Sequence, residues 1–132
     1  MSATAVLYVC AERRPGPQSL DEVRTAAERE GRALADQHDL RIVAMVTDPY
    51  GEPDPQRRSG WMRVRELAER NEVSTVITRW PDALSPRHEM RYLEVDYLRQ
   101  NRCQVLYSWQ PLAALVGGGA TPVNGWPNRE GR

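Results

Sequence analysis

The sequence contains no lysine and no phenylalanine. All of its 18 Lys/Arg positions are arginine, and 18 aspartates and glutamates balance them to a formal net charge of zero. That balance excludes a general polyanion binder, which would carry a basic excess. Arginine in place of lysine reads as the codon bias of a G+C-rich genome. Its planar fork still suits local phosphate contacts. There are only two cysteines, Cys10 and Cys103, each in or beside an apolar run. They read as buried, reduced thiols rather than a disulfide framework. No stretch of about 18 apolar residues exists, so no membrane span is expected. The N-terminus lacks the basic-then-apolar layout of a secretion signal, and a cytoplasmic location is expected.

What is present fits one domain of ordinary globular composition: 132 residues, 40% hydrophobic and 27% charged. That length is enough to bury a core. Ala5 to Val9 is a short apolar run ending at Cys10, and it reads as a buried first strand. After a PGPQ breaker, Ser19 and Glu22 form a capping box. A helix is expected from Leu20 to Gln37, with Leu20, Val23, Ala27, Gly31 and Leu34 inward. Leu40 to Val46 reads as a second strand, with Asp48 at its end. A long loop rich in proline and acids follows. A helix from Gly60 to Asn71 would place Trp61, Val64, Leu67 and Ala68 inward.

Val73 to Thr78 is the third expected strand. RWPDALSP reads as a loop, with Ser85 as N-cap and Pro86 at the first position of a helix running to Asn101. Met90, Leu93, Tyr97 and Leu98 form its expected inner face. Cys103 to Tyr107 is the fourth strand. The alternation implies an α/β fold: a single three-layer domain with a mostly parallel sheet of four to five strands, over residues 1–110. Residues 111–132, rich in glycine and proline, read as a flexible tail.

In open α/β sheets ligands bind beyond the carboxyl ends of the strands, which points to Tyr8, Cys10 and Glu12. Glu12, Asp48 and Asp82 could meet there as an acidic Mg²⁺ site; solvated loop acids are the plainer reading. No metal and no cofactor is expected. Arg57, Arg58, Arg63 and Arg65 are candidates for nucleic-acid contact, against the plainer reading of a helix face paired with Glu66 and Glu69. His38 and His88 fall at helix ends and are expected on the surface. Trp61 and Trp80 read as core, whereas Trp109 and Trp126 lie near or in the tail, where an aromatic can anchor a partner.

The order of these segments resembles the catalytic domain of the serine recombinases, the resolvase/invertase family. That family opens on a strand carrying Y-x-R-x-S, where Tyr8-Val9-Cys10-Ala11-Glu12 stands here. Gln18-Ser19-Leu20 leads into the first helix as it commonly does in the family. Asp48 matches the aspartate that ends the second strand. Arg58-Ser59-Gly60-Trp61-Met62-Arg63-Val64 matches R-P-G-[LW]-x-R-[LV]. Val76-Ile77-Thr78-Arg79, running into Trp80-Pro81-Asp82-Ala83-Leu84-Ser85, stands for V-V-x-K and L-D-R-L-x-R. The resemblance covers residues 4–108 and rests on the order and spacing of these four motifs.

The resemblance implies a resolvase-like sheet and, in the family, DNA recombination by attack of a serine on a phosphodiester with arginines stabilising the phosphate. Here the nucleophile position is Glu12. Cys10, Asp82 and Ser85 occupy arginine positions. Tyr8, Asp48 and Arg58 keep the family residue, with Arg79 beside them. The expectation is a degenerate pocket and a catalytically inactive module. Such a module would bind a protein partner or a second copy of itself, and DNA only weakly and non-specifically. The alternative is an α/β enzyme with a repurposed acidic metal or phosphate pocket. The family's long dimerisation helix and DNA-binding domain are not expected in this stretch, which runs into GGG. Apolar residues of the last helix, among them Met90, Tyr92 and Val95, are expected to leave surface for association.

Overall fold

A computed structural model describes residues 3–10, 20–49 and 51–109. In chain order the elements are β1 (Ala3–Cys10), α1 (Leu20–Gln37), β2 (Leu40–Asp48), α2 (Ser59–Glu69), β3 (Thr75–Thr78), α3 (Pro81–Leu84), α4 (His88–Gln100) and β4 (Gln104–Tyr107). A 3-10 turn, Pro55–Arg57, precedes α2. The strands form one four-stranded sheet in the order β2-β1-β3-β4, and every pairing is parallel. The expected α/β architecture is therefore present, with all four strands parallel. β1 is central, pairing Val6 with Val76 on one side and Val6 with Ala44 on the other.

The period-2 alternation of strands divides the core in two. Ala5, Leu7, Val9 and Ile77 pack with Ala27 and Ala35 of α1 on one face. Val6, Tyr8 and Val76 pack with Trp61, Val64, Leu67 and Leu98 of α2 and α4 on the other. The result is the expected three layers. Small residues let α1 approach closely: a Cβ on Gly31 would lie 2.6 Å from Leu7 Cδ1. The β1–β2 register shifts between Ala5 and Val6. That irregularity turns β2 over, so Ile42 packs on the α1 side and Ala44 and Val46 on the other.

Several boundaries and faces differ from expectation. β3 begins at Thr75 and β4 at Gln104, because Val73 and Cys103 are buried in the turns that lead in. The segment read as a loop after β3 contains the short helix α3, opened by Pro81 at its first turn. Ser85 is not the N-cap of α4, which starts at His88 after Arg87. The Ser85 Oγ instead accepts from the Arg87 amide at 3.0 Å and donates to the Pro53 carbonyl at 2.7 Å. The inner face of α4 is rotated by about one position. Leu93 is exposed while Glu94 is buried beside Leu98. His38 and His88 are exposed, Trp61 is buried and Trp80 half-buried. Cys10 and Cys103 are free thiols; Cys103 is buried and Cys10 half-buried. The Ser19 capping box, Glu12, Trp126 and the segment 111–132 lie outside the described residues.

Candidate functional site

In the order β2-β1-β3-β4 the direction of winding reverses between β1 and β3, the switch point at whose carboxyl ends open α/β sheets bind ligands. Tyr8 and Cys10 of β1 share the face covered by α2 and α4. Asp48 ends β2 opposite Cys10. The Asp48 carboxylate has three donors. It takes the Tyr8 hydroxyl at 2.7 Å and the amides of Gly60 and Trp61 at 2.8 Å each. It thus caps the first turn of α2 from a neighbouring strand, satisfying amides that a helix start leaves unpaired. Burial, and then the hydrogen bond to Asp48, push the Tyr8 hydroxyl well above the ordinary tyrosine range. Tyr8 stays a protonated donor and cannot serve as a base or nucleophile at neutral pH.

Arg58, only 6% exposed, closes the pocket from the N-terminus of α2. It donates through Nε to the Glu52 carbonyl at 2.8 Å, and through Nη1 to the Ala83 carbonyl at 2.7 Å and the Tyr8 hydroxyl at 3.3 Å. None of these oxygens is a carboxylate. The cation is held by backbone dipoles, and it ties the loop after β2 to α3. The Cys10 thiol lies 3.9 Å from the Pro49 carbonyl.

The other expected pocket residues point elsewhere. Arg79 shares strand parity with Ile77 and so lies on the α1 side. It makes a bidentate pair with Glu30 at 2.9 Å for each bond and stacks on the Trp109 ring at 4.1 Å. Trp80 meets the same ring edge-on at 4.5 Å. Burial alone would raise the Glu30 carboxyl, but hydrogen bonds from Arg79 and Trp109, with the guanidinium charge, hold it below its ordinary value. Asp82 is exposed and pairs with Arg91 at 3.0 Å. Among the described residues no three His, Cys, Asp or Glu side chains cluster as metal ligands.

Three solved structures have a similar fold. One is the C-terminal catalytic domain of ISC1926 TnpA, an IS607-like serine recombinase, at TM-score 0.66 and 16% identity, covering 87% of this chain and 76% of that one. A second is the N-terminal catalytic domain of TP901-1 integrase, at TM-score 0.64 and 17% identity, over 80% and 76% of the two chains. A third is a serine recombinase from Sulfolobus solfataricus, at TM-score 0.54 and 16% identity, over 87% and 76%. The chain has the serine recombinase catalytic-domain fold. No family model matches the sequence, and no curated protein is significantly similar to it.

Within this recombinase-like fold, Tyr8, Asp48 and Arg58, the residues expected to match the recombinase motifs, form one hydrogen-bonded unit. Of those expected to depart from them, Cys10 stays beside Tyr8 and Asp48, whereas Ser85 holds the turn before α4 and Asp82 faces solvent. Glu12 lies outside the described residues. The four candidate nucleic-acid arginines do not share an exposed face. Arg57 and Arg63 are exposed, pairing with Glu52 at 3.8 Å and Glu66 at 2.9 Å. Arg58 is in the pocket. Arg65 lies over the Tyr97 ring and pairs with buried Glu94 at 3.2 Å.

Glu94 is the buried residue that periodicity missed. It accepts from Trp61 Nε1 at 2.7 Å and Gln56 Nε2 at 2.9 Å, besides its pairing with Arg65. The only local signal for it was the Leu98 position four residues on, which shares its helix face.

Proposed function

We propose that this chain is a catalytically inactive, recombinase-like module that works by binding a protein partner or a second copy of itself. The observation that carries the reading is the set of commitments around the pocket. Tyr8, Asp48 and Arg58 are consumed in holding β1, β2, α2 and α3 together. Arg79 is paired with Glu30 on the opposite face of the sheet. Ser85 is engaged at both its donor and acceptor sides. Phosphodiester attack needs a hydroxyl nucleophile and several cations at the phosphate. The resemblance puts Glu12 at the nucleophile position, and Arg58 is the cation left in the pocket among the described residues.

DNA contact, where it occurs, is weak and confined to exposed arginines such as Arg57 and Arg63. It falls steeply with added salt. A repurposed metal site draws no support from Asp48, whose carboxylate is taken up by the Tyr8 hydroxyl and two backbone amides.

The experiment is incubation of the wild-type chain with supercoiled DNA, followed by denaturing gels for a covalent protein–DNA adduct. The expected result is no adduct. An adduct would show that a nucleophile exists and would overturn the reading.

A further inference from the structure

β4 is the outer strand of the sheet, and among the described residues no strand pairs with its far side. The Gln104 amide donates to Ser74 and the Ser108 amide to Thr78. In a parallel ladder, successive residues send their backbone groups to alternate sides. Gln104, Leu106 and Ser108 therefore face β3, and Val105 and Tyr107 present their N–H and C=O outward. An unpaired row of this kind is a template for another strand.

Beside this edge runs a groove of about 480 Å³. Val95, Cys103 and Val105 supply its apolar part, and Arg99 and Arg102 line it from the exposed side. Arg99 pairs with Asp96 at 2.9 Å. Arg102 has no carboxylate partner among the described residues, and it is held at φ 62° in the turn that ends α4. That turn is closed by the Cys103 amide donating to Leu98. The groove thus combines three features: outward backbone groups, an apolar wall, and an uncompensated positive charge at one end.

We propose that the outer edge of β4 and this groove form a docking site for an extended, acidic peptide segment of a partner protein, which joins the sheet as a fifth strand. Backbone hydrogen bonds to Val105 and Tyr107 supply the attachment. An apolar side chain enters the groove between Val95 and Val105, and an acidic one meets Arg102 and Arg99. Strand addition of this type takes its affinity from main-chain bonds and its selectivity from alternate side chains. The inference deepens the reading of the chain as a partner-binding module by naming the partner's chemistry.

The test uses the full chain and a fluorescein-labelled peptide of alternating glutamate and valine, followed by fluorescence anisotropy. Three controls accompany it: a lysine-for-glutamate peptide, and two copies of the acidic peptide N-methylated along one edge or the other. The acidic peptide should bind saturably and the lysine peptide should not. N-methylation on one edge, which keeps every charge, should weaken binding at least tenfold. The double variant Arg99→Gln/Arg102→Asn should weaken it to a similar extent; asparagine tolerates the left-handed backbone at that position.

Amide hydrogen exchange gives a second readout. The Val105 and Tyr107 amides should slow at least tenfold on peptide addition, with Leu106 unchanged. Absence of binding overturns the proposal, as it would if the chain's own residues occupied the edge. Binding indifferent to N-methylation also overturns it, since charge attraction alone would explain that result. A DNA adduct in the gel assay would overturn the inactive-module reading without touching this result, so the two failures are distinguishable.

Discussion

The Tyr8 hydroxyl donates to the Asp48 carboxylate across the β1–β2 pair, at 2.7 Å and out of contact with solvent. The same carboxylate caps α2, so one side chain fixes a strand pair and a helix start together. Asp48→Ala would leave two helix amides and a buried hydroxyl without their acceptor. It should destabilise the chain by about 3 kcal/mol. Tyr8→Phe removes only one of the three donors and should cost about 1–2 kcal/mol. Denaturant melts of both single variants and the double should show a coupling of about 1 kcal/mol, as expected for residues in direct contact. Additive losses would show that the hydrogen bond contributes nothing beyond its parts.

Gly60 sits in the first turn of α2, where alanine would ordinarily stabilise a helix by about 1 kcal/mol. Here a Cβ would stand 2.6 Å from Asp48 Oδ1 and 2.7 Å from its Cγ. The carboxylate is pinned by its three donors and cannot withdraw without losing them. Gly60→Ala should therefore destabilise, by about 1–3 kcal/mol. A thermal melt settles the sign. Stabilisation would mean that Asp48 is not fixed where the hydrogen bonds place it.

The sheet, its central strand and the long helices were legible in the sequence because each depends on local periodicity. Ala5 to Val9 is apolar throughout, as a strand covered on both faces must be, and Ala27, Gly31 and Leu34 recur at helical spacing. What was not legible depends on distant partners. Glu94 is inward because Trp61 and Gln56 hydrogen-bond to it and Arg65 pairs with it, all three on or beside α2. A rule that sends charge outward therefore chose Leu93 instead. Ser85 looked like a cap because proline followed it; its partner, the Pro53 carbonyl, lies 32 residues back. Arg79 looked like a pocket residue by motif order, although its parity with Ile77 already put it on the α1 face. The unit of Tyr8, Asp48 and Arg58 was identifiable as positions, but its role as a structural tie needed the geometry.

Thr78 ends β3 fully buried, and its Oγ1 has no hydrogen-bond partner among the described residues. An unsatisfied buried hydroxyl is destabilising, whereas valine has nearly the same shape and an equal fit to a strand. Thr78→Val should raise the stability by about 1 kcal/mol. The check is the midpoint of a urea melt at unchanged slope. A loss of stability would indicate that the hydroxyl is satisfied, by water for instance.

The Glu30–Arg79 pair makes stability depend on pH in a defined direction. Glu30 has a folded-state pKa below its ordinary value, so the unfolded chain takes up its proton first as pH falls. The stabilisation is complete above the ordinary carboxylate range and is lost as pH drops through the lowered value. The stability difference between wild type and Glu30→Gln should be largest near neutral pH and shrink on acidification through that window. Melts at a series of pH values read it. A difference independent of pH would show that Glu30 contributes by packing rather than by charge.

Restoring a serine at the nucleophile position should not restore chemistry. Glu12→Ser supplies a hydroxyl where the recombinase resemblance puts the nucleophile, yet Cys10, Asp82 and Ser85 stand where it puts arginines. Arg58 commits its Nε and Nη1 to the Glu52 and Ala83 carbonyls and the Tyr8 hydroxyl. Arg79 is held by Glu30 on the α1 side, and strand parity prevents it from crossing the sheet even when released. Loss of a single preorganised donor commonly costs about 3 to 4 kcal/mol in the transition state, and three of the expected arginine positions carry cysteine, aspartate or serine. Glu12→Ser and the double variant Glu12→Ser/Glu30→Gln should both give no covalent adduct with supercoiled DNA on denaturing gels. An adduct with the single variant would refute the electrostatic argument. An adduct with the double variant alone would show that Arg79, once freed, reaches the phosphate, against the placement its strand parity dictates.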